Sequence, residues 1–388
     1  MAVYLDYAAT APMRAEALET LVQYLGHLGN PSSVHGPGQV ARKALEEARE
    51  QLARAIGANR NEIIFTSGGT ESDNLAIKGL YWERNKSAKR PVILSAMTEH
   101  HAVIDTIEWL EKAQGAVFAV IPVDDRGVVD LHWFKEYLSV HASEVALITL
   151  MWANNETGVV TPIEEVTALA AAYEIPVHSD AVATLGHMPI NFSSSGLTAM
   201  SIAAHKIGGP IGVGALVVAR SAKLTSLVHG GGQERAMRSG TMNFAGAKAF
   251  AKAAELAVSE LDEFTSHTSR LTARVRDEVC AAIPTARFSR GDAPALPQTA
   301  HFTFPGCSGD SLLFLLDRAG VAVSNGSACQ AGVTAASHVL LAMGRDESEA
   351  AGCLRVSIGL ETTDADIDAL LAALPEAHAA AARAGLTF

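Results

Sequence analysis

Apolar and polar positions change period along this chain. Between about residues 37 and 220, short continuous apolar runs alternate with longer amphipathic ones. The runs are "EIIF" (62–65), "PVILS" (91–95), "AVFAVIPV" (116–123), "VALITLMW" (145–152), "IPVHS" (175–179), "MSIAAH" (200–205) and "GALVVA" (214–219). Runs this short and this uniformly apolar read as strands buried on both faces. Val40, Ala41, Ala44, Leu45, Ala48, Leu52 and Ile56 recur instead at helical spacing. Segments of helical length separate most of the strands. This alternation predicts an α/β fold on a largely parallel sheet flanked by helices.

The pattern changes after "FAGAKAF". Residues 245–282 read as one long helix. A strand "AHFTF", a helix from about 309, "GVAVS", another helix, "LRVSIG" and a final helix follow. They predict a smaller C-terminal α/β unit. The boundary falls near 255, giving a large domain over 15–255 and a small one over 256–388 together with 1–14.

Composition narrows the classes. The chain has 388 residues, more than one compact domain usually holds. Hydrophobic residues at 48% exclude general disorder. A net charge of −12 argues against nucleic acid or an anionic membrane as main partner, because phosphate binding wants a surplus of Lys and Arg. Residues 1–15 lack the basic start and apolar run of a signal sequence. No apolar stretch reaches the roughly 20 residues that span a bilayer. The cysteines are Cys280, Cys307, Cys329 and Cys353, with no CxxC pair. Few cysteines in a long chain suit a reducing cytoplasm.

Ligands in such sheets bind beyond the carboxyl ends of the strands, so the residues after each run carry the chemistry. "TSGGTESDNLAIKG" follows the first run. Its glycines and hydroxyls open a helix, either as a phosphate cradle or as an ordinary cap. No GxGxxG is present there, so a nicotinamide dinucleotide has little support. Glu99-His100-His101 follows the second. Those histidines suit a stacking ring, an acid–base or a plain surface role; a metal is disfavoured, since no second cluster at ligand spacing follows. "ANNETG" brings Asn154, Asn155 and Glu156, which either orient a ligand or cap a turn. Asp180 ends another strand and could accept a proton from a heterocyclic cation. His205-Lys206 ends the next. A lysine there is costly to bury unless it is paired, snorkels to solvent or becomes a neutral imine. A phosphate cradle, a strand-end acid and a strand-end lysine together favour one ligand, pyridoxal phosphate, with its phosphate, pyridine nitrogen and aldehyde.

"SNGSACQAG" (324–332) sets Cys329 among small and polar residues. A structural thiol prefers a packed apolar site. An exposed thiol in a loop is a liability unless it is used.

These stretches carry a resemblance over nearly the whole chain. "YLDYAAT", "GNPSSVHG", "FTSGGTESDNLAIKG", "TEHHAV", "NNETG", "HSDAV", "HKIGGPIGVGAL", "HGGGQERAMRSGT", "SNGSAC" and "LRVSIG" occur in order. The chain resembles a cysteine desulfurase of the NifS/IscS type, within the class-V aminotransferases of fold-type I, which use pyridoxal phosphate. The resemblance implies conversion of L-cysteine to L-alanine, with the sulfur left as a persulfide on Cys329. Lys206 is then the residue that binds the cofactor and moves the Cα proton. Asp180 is implied to pair with the pyridinium nitrogen, and His100 to stack on the ring and transfer protons. Gly69, Thr70 and His205 are implied to hold the phosphate, and Thr241 to reach the phosphate of a partner subunit in a homodimer. Asn155 is implied to bond near the ring hydroxyl and the substrate carboxylate, which Arg355 clamps. The sulfur would pass to an acceptor protein, such as an iron–sulfur scaffold or a thiolation enzyme. Cys280 and Cys353 read as core packing, and Cys307 stands in a turn.

Two positions depart from the family. Ala183 stands where Gln is usual, and Ala203 where Ser is usual. They remove a contact to the ring hydroxyl and one to the phosphate, which predicts weaker cofactor retention. The rivals are a selenocysteine lyase or small-amino-acid aminotransferase of the same fold, and a non-catalytic sulfur-relay scaffold. The aminotransferase has no need of Cys329.

Overall fold

The computed structural model describes residues 3–326 and 336–385, with side chains to residue 383. Cys329 lies outside the described residues. In chain order the elements are β1 (Val3–Tyr4), α1 (Ala15–Leu25), α2 (Gly36–Ala55), β2 (Ile63–Thr66), α3 (Gly69–Arg84), β3 (Val92–Ser95), α4 (His101–Gln114), β4 (Val117–Val120), α5 (Leu131–His141), β5 (Val145–Thr149), α6 (Ile163–Ala171), β6 (Val177–Asp180), β7 (Ala199–Ala203) and β8 (Gly214–Val218). After a long irregular stretch come α7 (Phe244–Ser259), α8 (Leu261–Ala282), β9 (Arg287–Phe288), β10 (Thr299–Thr303), α9 (Gly309–Arg318), β11 (Val321–Ala322), α10 (His338–Ala342), α11 (Glu347–Ala351), β12 (Cys353–Ser357) and α12 (Asp364–Gly385).

The predicted α/β fold is present. Seven strands form one sheet in the order β2-β8-β7-β6-β5-β3-β4. Its pairs are parallel from β7 to β4, and only β8 runs against its neighbours. Every residue of β5, β7 and β8 is buried, as continuous apolar runs require when helices cover both faces. β4 is an edge strand and half-exposed, and only four residues of the run 116–123 pair with β3. A second, three-stranded antiparallel sheet has the order β12-β10-β9. β1 joins β11 in parallel, which brings the N-terminus to the C-terminal part of the chain.

The expected single helix over 245–282 is two helices. α7 ends at Ser259 and α8 begins at Leu261, with Glu260 between them at φ −97° and ψ 6°. No glycine or proline marks the break. Glu260 is held there by Arg14, whose Nη1 lies 2.6 Å from its carboxylate. The two halves also differ in surroundings. α7 buries nine residues, mostly alanines, and packs closely on α1 and α2. α8 buries one stripe, including Leu271, Val275 and Val279, which meets β10 and α12. Periodicity reports a buried stripe in both and so cannot see the change of partner.

Candidate active site

Because β3, β5, β6 and β7 run parallel, their carboxyl ends open on one side of the sheet. The chain beyond each end meets the α3 N-terminus at a cavity of about 310 Å³. Gly69, Thr70, Asp73, His100, Asn155, Asp180, Ala183, His205 and Lys206 line it, with Arg355, Ser324 and Gly326 from the C-terminal part. Nine of the ten predicted site residues fall among the described residues. Eight line this cavity. Thr241 is exposed and does not.

Each wall has a local cause. β2 ends at Thr66, and Gly68 caps α3 at φ 156°. A Cβ on Gly69 would sit 2.6 Å from Val182 Cγ2, so only glycine lets the helix start approach the residue two beyond Asp180. His100 caps α4, its Nδ1 accepting the Ala102 N–H at 3.0 Å. With Nδ1 accepting, the neutral ring carries its proton on Nε2. Burial lowers the His100 pKa, which keeps the ring neutral. Burial and the neighbouring Lys206 push His205 down to about 4.

Lys206 stands in a short 3₁₀ turn (His205–Ile207) after β7. Its Nζ donates to the Ala8 and Ala9 carbonyl oxygens, the latter at 3.1 Å. Those carbonyls belong to the N-terminal strap, which is tied to β12 by Ala8 N–H donating to Ser357 Oγ at 2.9 Å. Arg355, in β12, is buried. Its Nη2 lies 2.8 Å from Asp6 Oδ1, and its Nη1 donates to the Asn155 carbonyl at 2.7 Å. Its Nε has no partner among the described residues. The guanidinium thus both makes an ion pair and borders the cavity.

The floor is acidic and buried. Asp180 Oδ1 accepts the Val182 N–H at 2.8 Å. Burial raises the Asp180 pKa, and nearby His100 and Lys206 oppose the rise. Asp73, one helical turn after Gly69 and Thr70, is raised well above the carboxylate range by burial and then by Asp180. Glu99 is raised likewise by burial; its Oε1 accepts the Met151 N–H at 2.8 Å, and Oε2 is unpartnered among the described residues. Beneath them, His178 is pushed down to about 3 by burial and sits between Thr149 Oγ1 at 2.8 Å and Ser201 Oγ at 2.9 Å. Three buried carboxyls in one region resist ionisation until a cation joins them. A ring bearing a protonated nitrogen fits that need at Asp180. The close-packed start of α3 fits a phosphate, and the unpartnered Arg355 Nε fits a carboxylate. The residues present therefore suit pyridoxal phosphate and an amino acid.

Sequence reasoning missed Asp73, Asp6 and the strap carbonyls. Asp73 had a signal, since positions 69, 70 and 73 share one helix face. Asp6 had none. Of the two departures, Ala183 lines the cavity, whereas Ala203 is wholly buried at the end of β7 and does not. Cys353 and Cys307 are buried, and burial pushes the Cys307 thiol up to about 11. Cys280 is half-buried in α8 and packs on the same cluster as Cys307.

The fold and the site define a class-V aminotransferase: the family's pattern matches residues 3–370, and the chain belongs to that family. Within it the relatives are cysteine desulfurases of the NifS/IscS type. An IscS-like cysteine desulfurase of Mycobacterium tuberculosis is 47% identical over 99% of this chain and 98% of its own length. A cysteine desulfurase IscS of Dictyoglomus turgidum is 43% identical over 94% and 92%. A solved NifS-like protein superposes with a TM-score of 0.88 at 34% identity, covering 97% of this chain and 99% of its own. A solved SspA in complex with cysteine superposes with a TM-score of 0.79 at 31% identity, covering 93% and 99%.

Proposed function

We propose that this cysteine desulfurase carries out its reaction in the cavity between the strand ends and β12, with Cys329 as the sulfur acceptor. The convergence of eight predicted residues on one cavity supports the reading most. Gly69, Thr70 and His205 would hold the phosphate of pyridoxal phosphate, Asp180 would hold the proton on its ring nitrogen, and Lys206 would bind its aldehyde carbon. When bound, the cofactor supplies an electron sink that permits loss of the Cα proton and cleavage of the Cβ–S bond. Once the substrate amine had taken its place on that carbon, Lys206 Nζ would be free to take the Cα proton, and His100, which lines the cavity, would be the second proton carrier. Arg355 and Asn155 receive the substrate carboxylate. The Cys329 thiolate forms a bond to the substrate sulfur as the Cβ–S bond breaks; that electron pair and a proton end on Cβ, giving alanine and a persulfide. Gly326 lines the cavity, and Cys329 follows it by three residues in the sequence, which supports this assignment.

The division into 15–255 and 256–388 with 1–14 is supported by the two largest of the buried apolar clusters. One gathers side chains from Ala17 to Ala257, and the other gathers Leu5 with side chains from Leu271 to Ala381. Thr241 is exposed, as a residue reaching a homodimer partner's phosphate must be. The persulfide then serves an acceptor protein in the cytoplasm; among the described residues no helix is long and apolar enough to cross a membrane.

The test is release of alanine and sulfide from L-cysteine with a thiol reductant, by the protein and by Cys329→Ala. Matched products, lost in the variant, are expected. Equal alanine or pyruvate from both would make Cys329 incidental and point to a lyase or an aminotransferase. No turnover by either, with cofactor bound and acceptor present, would favour a relay scaffold.

A further inference from the structure

Arg355 borders the cavity from β12, which belongs to the smaller sheet. Its backbone is held on both sides. It faces His301 of β10, and it exchanges two hydrogen bonds with Ser324, of 3.2 and 2.6 Å. The guanidinium has fewer ties. Nη1 donates to the Asn155 carbonyl at 2.7 Å, and Nη2 donates to Asp6 Oδ1 at 2.8 Å. A guanidinium has five N–H groups. Nε–H is one that finds no partner among the described residues. His301 offers it no bond: its Nδ1 meets Ser289 Oγ at 2.8 Å, and its Nε2 is unpartnered among those residues. Glu156 is close enough to feel the guanidinium, but its Oε2 accepts from Ser337 Oγ at 2.5 Å. Among the described residues, Asp6 is therefore the carboxylate bonded to Arg355.

Asp6 is itself fixed through its backbone. It forms a parallel bridge with Ser357, which shares a face of β12 with Arg355. The Ser357 N–H donates to the Leu5 carbonyl at 2.9 Å. The Asp6 carbonyl accepts the Ala9 N–H at 3.0 Å and the Tyr4 hydroxyl at 3.1 Å. Asp6 does not line the cavity. A carboxylate beside an arginine offsets its charge, which works against binding a second carboxylate. What it supplies instead is direction. Two anchored Nη atoms fix a planar fork, whose remaining N–H groups are then presented in one orientation.

We propose that Asp6 is a positioning residue for the substrate carboxylate: it fixes the plane of the Arg355 guanidinium at the cavity wall and so sets how strongly the site prefers a free carboxylate over an uncharged amide. This rests on the reading above that Arg355 receives that carboxylate. Asp6 lies outside the cavity lining, so it acts through Arg355.

The experiment titrates the cofactor-loaded protein with L-alanine and with L-alaninamide, reading each Kd from the cofactor's visible absorbance. The ratio of the two is the preference for a carboxylate. Asp6→Ala is expected to lower that preference about tenfold, with the L-alaninamide Kd changed less than about threefold. Asp6→Asn keeps an oxygen that accepts from Nη2 and is expected to stay within about threefold of wild type. An unchanged preference in Asp6→Ala would overturn the proposal. So would a stronger one, which would make Asp6 a competitor of the substrate. Equal weakening of both ligands would overturn it as general damage to the site. A loss in Asp6→Asn as large as in Asp6→Ala would overturn it too, since charge rather than direction would then be at work. If Asp6→Ala does not fold, Asp6→Glu takes its place with the same expected loss, because it keeps the charge and displaces the carboxylate by one methylene. Arg355→Ala tests the underlying reading separately. A preference left intact there would sink the carboxylate role of Arg355, whereas one lost there and kept in Asp6→Ala would sink the role of Asp6 alone.

Discussion

The outer edge of β2 should depend on one buried ion pair. β2 is an edge strand of the large sheet, so its outward N–H and C=O groups lack a strand partner. Arg49 of α2 and Glu234 of the 228–243 loop supply one instead. Arg49 Nη1 donates to the Ile63 carbonyl at 2.6 Å, and Glu234 Oε2 accepts the Phe65 N–H at 3.2 Å. The two side chains pair with each other at 2.8 and 2.9 Å, with side-chain exposures of 4% and 1%. The guanidinium also lies over the Phe65 ring, 5.0 Å from its centre. Arg49→Met keeps the stem's packing and strands Glu234 as a buried charge, which should cost about 3–5 kcal/mol. Glu234→Met should cost a similar amount by the converse argument. The double variant has no stranded charge and leaves only two backbone groups without partners, at about 1–3 kcal/mol each. Summed singles of roughly 6–10 kcal/mol against roughly 2–6 for the double predict a coupling of about 4 kcal/mol. Urea unfolding of the four proteins at one concentration measures it. Singles that cost under about 1 kcal/mol, or that add without coupling, would refute the claim that the pair seals this edge.

Three further outcomes are expected. His301, wholly buried and pushed down to about 3 by burial, should make the protein lose stability as pH falls. The unfolded imidazole takes a proton below about 6.5 while the folded one does not, so wild type should lose about 2 kcal/mol relative to His301→Gln between about pH 7 and 5; parallel stability curves would contradict this. Ala183→Gln should restore one hydrogen bond at the cavity wall and slow pyridoxal phosphate dissociation about two- to tenfold, read by dialysis and absorbance. Ala203→Ser should do less, because Ala203 does not line the cavity, and a larger effect from position 203 than from 183 would reverse that ranking.

Much of the site was legible because parallel strands impose a rule. Once 62–65, 91–95, 145–152, 175–179 and 200–205 read as strands of one sheet, the residues after them had to gather at its carboxyl edge. Gly69, Thr70, His100, Asn155, Asp180, His205 and Lys206 were therefore adjacent in prospect before any coordinates. Arg355 needed the family resemblance, since a different sheet carries it. The break at Glu260 was not legible, because both helices show a buried stripe and an ion pair from residue 14 holds the junction. The short extent of β4 was hidden for a related reason: an apolar edge strand and an apolar inner strand look alike in sequence.

The sequence by itself determined the α/β class and the order of the residues that follow the strands, since each follows from local period or from residues next to a strand end. Tertiary structure decided which distant groups meet. Asp6 reaches Arg355 across 349 positions, Arg49 reaches Glu234 across 185, and Glu156 reaches Ser337 across 181. Periodicity states which face of an element is buried and says nothing of what buries it. Contacts between residues far apart in the chain are chosen by topology and by packing at close range, where a carboxylate must find a donor or lose its charge.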